Sequence, residues 1–77
     1  MKKIITTKYF LGKKERIRLR IAFLEKGYEY FKDVARAIGF STAEISGVLH
    51  GARTYTKEFH ESLLRVGIDI FKEDVKW

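Results

Sequence analysis

The sequence predicts an all-α domain of four helices followed by a last helical turn. Three observations predict it. Five of the six glycines, Gly12, Gly27, Gly39, Gly51 and Gly67, divide the 77 residues into segments of about helix length. Apolar residues recur inside those segments at helical spacing. Ser41-Thr42-Ala43-Glu44 has the form of a capping box, with serine at the N-cap and glutamate three residues on. A chain this short is one domain, with room for one core and no second, ligand-sensing domain.

The elements follow in order. Residues 1–10 read as a basic N-terminal arm and 11–77 as a single domain. Lys2, Lys3 and Lys8 suit a flexible arm that lies along a polyanion, whereas Ile4-Ile5-Thr6-Thr7 equally suits an edge strand pairing across a dimer. Both readings stay open at this point. Lys13–Lys26 alternates with period two over Ile17–Phe23, but it is fourteen residues of mostly good helix formers ending at Gly27, so a helix is expected. Its inward stripe is expected to be Ile17, Ile21 and Leu24, with Leu19 and Phe23 as a second stripe facing the C-terminal segment or another subunit. Phe31–Ile38 places Phe31, Val34, Ala35 and Ile38 on one helical face, and Gly39 ends it. The helix capped by Ser41 points Ile45, Val48 and Leu49 inward and stops at Gly51. Thr56 can cap Lys57–Val66, with Phe59, Leu63 and Val66 inward. Asp69 is a candidate cap for the last helical turn in the apolar tail Ile68, Ile70, Phe71, Val75 and Trp77.

Charge narrows the function. Sixteen Lys and Arg against ten Asp and Glu give a net charge of +6. Residues 1–20 hold eight basic groups and one acid, so the excess belongs to the N-terminal part. Such a domain is a candidate polyanion binder. The absence of cysteine excludes disulfides, thiolate metal sites and cysteine nucleophiles, and two histidines are too few for a metal cluster. His60-Glu61-Ser62-Leu63-Leu64 begins like a zinc-protease motif but has Leu64 where the second histidine belongs. No enzyme, metal or cofactor is expected. No apolar run is long enough for a membrane span and Lys8 interrupts any signal-like stretch, so a cytoplasmic protein is expected.

The centre of the chain carries the functional pattern. Two short helices joined by Gly39-Phe40-Ser41 need a small residue where they cross, which Ala35 supplies. They need a residue tolerant of positive φ in the turn, which is Gly39. They need an apolar anchor in the second helix, which is Ile45. With Val34, Ile38, Phe40 and Val48 apolar around them, this is a helix-turn-helix pattern. The positions left facing outward on the second helix are Ser41, Thr42, Ala43, Ser46, Gly47 and His50.

Residues 31–51, FKDVARAIGFSTAEISGVLHG, resemble the helix-turn-helix of the phage-repressor/Cro (XRE-type) DNA-binding proteins. Leu49-His50-Gly51-Ala52-Arg53 adds to the likeness, which extends more weakly over about four fifths of the chain. The resemblance implies a compact four- to five-helix bundle of the lambda-repressor-like type, usually a homodimer on a palindromic operator. Its function would be sequence-specific regulation of transcription, most simply repression, with no small-molecule ligand and no membrane. It places helix 41–50 in the major groove, with the same six outward residues against base edges. Hydroxyls of Ser41, Thr42 and Ser46 can pair with several bases, and the Thr42 and Ala43 methyls can meet a thymine methyl. Gly47 lets the backbone approach closely, and His50 is the strongest candidate base reader. Phe31 stands where family members often place a phosphate-gripping residue, which passes that contact to Tyr30 or Lys32. Arg53 and Thr54 lie just past the helix, Arg53 within reach of a phosphate or a guanine. The tail residues Ile70, Phe71, Val75 and Trp77, with Leu19 or Phe23, are the expected dimer surface. The alternative function is a protein-interaction module on the same fold, such as an antitoxin or a polymerase-binding protein.

Overall fold

In the computed structural model, which describes residues 2–4, 9–71 and 74–77, the chain runs β1 (Lys2–Ile4), α1 (Lys13–Glu25), α2 (Phe31–Ile38), α3 (Thr42–Leu49), α4 (Lys57–Arg65) and β2 (Asp74–Lys76). The fold is mainly helical, as expected, and measures 31 × 23 × 21 Å. Leu19, Ile45, Tyr55 and Leu63 lie at the centre of one core to which all four helices contribute.

Helix α1 starts where Glu15 reaches back to accept a hydrogen bond from the Gly12 N–H at 2.9 Å, and a second from the Tyr9 hydroxyl. Its orientation corrects the sequence reading. Leu19 and Phe23 are the buried stripe, at 0% and 4% exposure, while Ile17, Ile21 and Leu24 are 49%, 50% and 59% exposed. The reason is the company each stripe keeps. Ile17 and Ile21 are flanked by Lys14, Arg18 and Arg20, whose charges would lose water if that arc were buried. The Leu19/Phe23 arc includes Ala22, small enough to let α1 lie close to the core it partly enters.

The turn between α2 and α3 is as the sequence predicts, whereas Phe31, expected on the apolar face of α2, is 36% exposed at the helix start. Gly39 sits at φ 78°, ψ 24° and donates its N–H to Ala35 O at 2.9 Å, closing α2 in the left-handed region that side chains avoid. Phe40 then turns into the body and meets the Phe59 ring of α4 at 5.0 Å. Thr56 caps α4, its hydroxyl accepting from the Phe59 N–H at 3.2 Å.

The C-terminal stretch departs from expectation twice. Among the described residues, 68–71 form no helical turn at Asp69. Ile68, Ile70 and Phe71 are buried with Asp69 exposed between them, so irregular chain packs this stretch into the core. Most of the apolar tail is also not a free surface. Ile70 and Phe71 are core residues and Val75 is partly buried against them. The last residues form β2, which pairs in parallel with β1: Lys2 opposite Asp74, Lys3 opposite Val75, Ile4 opposite Lys76. The start of the chain is therefore a strand bound to its own end, and Ile70 and Phe71 of the apolar tail close the domain's core while Trp77 stays 38% exposed. Of the expected arm, Ile5–Lys8 lie outside the described residues.

Candidate nucleic-acid interface

Helix α3 is short, capped at both ends and buried along one side. Ser41 is its N-cap: the hydroxyl accepts from the Glu44 N–H at 3.1 Å, and the Glu44 carboxylate accepts from the Ser41 N–H at 3.1 Å and the Ser41 hydroxyl at 2.9 Å. Those two Ser41 bonds, the backbone one first, hold the Glu44 carboxyl below the usual carboxylate range, and the charge of Arg53 adds to the effect. Ile45, Val48 and Leu49 are buried, which anchors the helix. Ser41, Thr42, Ala43 and His50 are exposed, and Ser46 and Gly47 are half-buried on the same outward side.

The end of α3 is built with equal care. Gly51, at φ 73°, donates to Val48 O at 3.2 Å, and Ala52 donates to Gly47 O at 2.8 Å. This pair of bonds closes the helix and folds the following loop back over its last turn. His50 is the C-cap residue, and its ring turns onto the same helix end, Nδ1 lying 2.8 Å from Ser46 O and 3.1 Å from Ser46 Oγ. A carbonyl can only accept, so Nδ1 carries the proton for that bond. The imidazole is thereby held in place, and Nε2 has no partner among the described residues. His50 thus closes the helix end through Nδ1.

Arg53 is where the structure adds most to the sequence reading. Its N–H donates to Gly47 O at 3.1 Å, and its side chain lies across Gly47. A β-carbon on Gly47 would stand 2.6 Å from both Cγ and Cδ of Arg53. The open face of Gly47, expected to allow a close backbone approach, is filled by the Arg53 stem. Arg53, Thr54 and Glu44 line one shallow recess with Phe40.

The loop carrying Arg53 and Thr54 is pinned from behind by Tyr55. Tyr55 is buried, its N–H donates to Tyr9 O at 2.7 Å, and its hydroxyl is 2.7 Å from His60 Nδ1. Trp77 stacks on the Tyr55 ring at 6.3 Å, so the C-terminus braces this loop. Burial pushes the Tyr55 hydroxyl far above its ordinary value, with Asp69 and Glu15 adding to it. Burial pushes the His60 imidazole down, against the opposing pull of Asp69 and Glu61.

Tyr30 and Lys32 meet each other at the start of α2, Lys32 Nζ lying 5.6 Å from the Tyr30 ring centre. Tyr30 and His50 line one open groove together with Arg20, Leu24 and Phe31. Arg20 was not singled out from sequence, although it belongs to the basic block of residues 1–20 that was. Arg16 was also missed. Its Nη1 would lie 3.3 Å from a β-carbon on Gly51, which brings a positive charge to the C-terminal end of α3.

Among the described residues, no group of three or more His, Asp or Glu side chains could hold a metal ion, and no helix is long and apolar enough to cross a membrane. A scan against protein-family models and searches of curated proteins and solved structures found no match for this chain.

Proposed function

We propose that the chain is a sequence-specific, double-stranded DNA-binding regulator of transcription, a repressor of the lambda-repressor-like type, with α3 as the reading helix. One observation carries this reading. A short helix, capped at Ser41 and anchored by Ile45, stands on α2 across a left-handed Gly39 turn and leaves an outward face of small polar residues. That face has hydroxyls and methyls that can meet base edges, and it has no carboxylate except Glu44, whose charge Ser41 and Arg53 already engage. Tyr30, Lys32, Arg53 and Thr54 stand around it as candidates for phosphate oxygens, within a chain of net charge +6. One helix of this length makes few base contacts, so ordinary operator affinity requires two copies on half-sites about 34 Å apart. The protein would work in the cytoplasm, without cofactor or small-molecule effector.

A second reading is supported by a different observation. Ile17, Ile21 and Leu24 form an exposed apolar row on α1. An apolar row of this kind suits a protein partner, and in that reading the helix-turn-helix corner is only a scaffold. Selection of bound sequences from a random double-stranded DNA pool separates the two. A palindromic enriched motif is expected. A pool that shows no enrichment with a folded protein would overturn the DNA-reading proposal.

A further inference from the structure

We propose that Arg53 is a base-reading residue with guanine as its target, and that Gly47 is the seat that aims it; the proposal rests on the DNA-reading function above. Helix α3 itself contains no arginine, lysine, asparagine or glutamine, so by sequence it lacks a side chain that reads a purine with two bonds. The fold supplies one from outside the helix. The N–H groups of Ala52 and Arg53 both donate to Gly47 O, at 2.8 and 3.1 Å, which returns the chain to the outward side of α3. The Arg53 stem then crosses the bare Cα of Gly47, and Nε would be 3.1 Å from a β-carbon there.

Glycine inside a helix is unfavourable and calls for a physical reason. A left-handed backbone is not that reason, since Gly47 is not among the glycines with positive φ. Room is the reason: any side chain at 47 would collide with Cγ and Cδ of Arg53. Gly47 lies on the outward side of α3, one turn from Ala43 and from His50 and on the flank shared with Glu44. An arginine stem laid over that point starts on the outward side of α3, next to the Ala43 and His50 positions, and its long side chain can extend from there to a base edge. Seating the stem on Gly47 limits its freedom before binding, and the planar fork of the guanidinium matches O6 and N7 of guanine. Glu44, close enough for its carboxyl to feel the Arg53 charge, lies on the flank of the same seat.

The test uses the random-pool selection with wild type, Arg53→Ala, Arg53→Lys and Gly47→Ala, and melting temperatures for each. Wild type should enrich a motif with guanine at a defined position in each half-site. Arg53→Ala and Arg53→Lys should lose that preference by about 5- to 150-fold, the lysine variant because it keeps the charge but not the fork. Gly47→Ala should lose the same preference while melting at or above wild type, because only an exposed arginine stem has to move. The double variant Gly47→Ala with Arg53→Ala should read DNA no worse than Arg53→Ala alone. An Arg53→Ala protein that binds every sequence evenly more weakly would make Arg53 a phosphate contact and overturn the guanine assignment. A Gly47→Ala protein that reads like wild type would overturn the seat. A folded wild type that enriches no motif would remove the DNA-reading function itself, an outcome distinct from both.

Discussion

Replacing Tyr55 with phenylalanine removes one oxygen from the middle of the domain. That hydroxyl is 2.7 Å from His60 Nδ1, and the two residues are 1% and 6% exposed. Burial keeps the phenol protonated, so it donates and Nδ1 accepts. Its loss leaves a buried acceptor without a partner, at a cost of about 1–3 kcal/mol, from the roughly 4–11 kcal/mol expected of a domain this small. The sign with pH follows from the lowered imidazole value. Above the ordinary histidine value of 6.5 the ring is neutral in both states, and its contribution is complete. As pH falls below 6.5 the unfolded chain takes up a proton that the folded chain resists, so wild type loses stability down to the folded value. In Tyr55→Phe the neutral ring has lost its donor, protonation in the folded state becomes easier, and the acid loss shrinks. The gap between wild type and variant should therefore be largest near pH 7.5 and narrower near pH 5. Urea unfolding followed by circular dichroism at both pH values measures it. A gap that stays constant or widens on acidification would refute the donor role of Tyr55, and no gap at pH 7.5 would refute the hydrogen bond.

The remaining expectations are simpler. Leu19→Ala should cost about 2–5 kcal/mol in urea unfolding and Ile21→Ala only about 0.5 kcal/mol; equal losses would mean that α1 presents its other stripe to the core. Ala35→Leu should overpack the α2–α3 crossing by about 1–3 kcal/mol, and an unchanged melting temperature would mean the two helices do not meet there. Ser41→Ala removes the acceptor for the Glu44 N–H and should cost about 0.5–2 kcal/mol of stability; a thermally neutral variant would show that the cap contributes nothing. With about five to eight phosphate contacts per dimer, log K for DNA should fall against log salt with a slope of roughly −4 to −7, and a slope near zero would favour the protein-partner reading.

The helices were legible because their boundaries are written in local chemistry. Gly39 and Gly51 stop α2 and α3, and Ser41 with Glu44 starts α3, each through bonds that span fewer than six residues. What was not legible depends on comparison between distant segments. Ile17-Arg18-Leu19-Arg20-Ile21 offers two apolar stripes of similar content, and only the core decides which is drier. The tail is a starker case. Ile68, Ile70 and Phe71 look like a free apolar end until β2 finds β1, whose first residue is 72 positions earlier than its partner Asp74. Local pattern cannot show such a pairing, because neither three-residue strand would be stable without the other.

The candidate site divides along the same line. Ser41, Thr42, Ala43, Ser46 and His50 could be named from one helical wheel, since Ile45, Val48 and Leu49 leave them facing out. Gly47 could be named but not understood. As a gap in the reading face it invites a close approach of the helix backbone to the bases, and nothing in the wheel objects. The residue that fills it is six positions along, past the end of the helix, and arrives there only because Gly51 turns the chain back and Gly47 O accepts the N–H groups of Ala52 and Arg53. A helix that looks poor in recognition chemistry can thus acquire an arginine from its own closing turn. The small residue in the middle of the helix and the long one beyond its end are two parts of one feature, and substitution of either should expose the other.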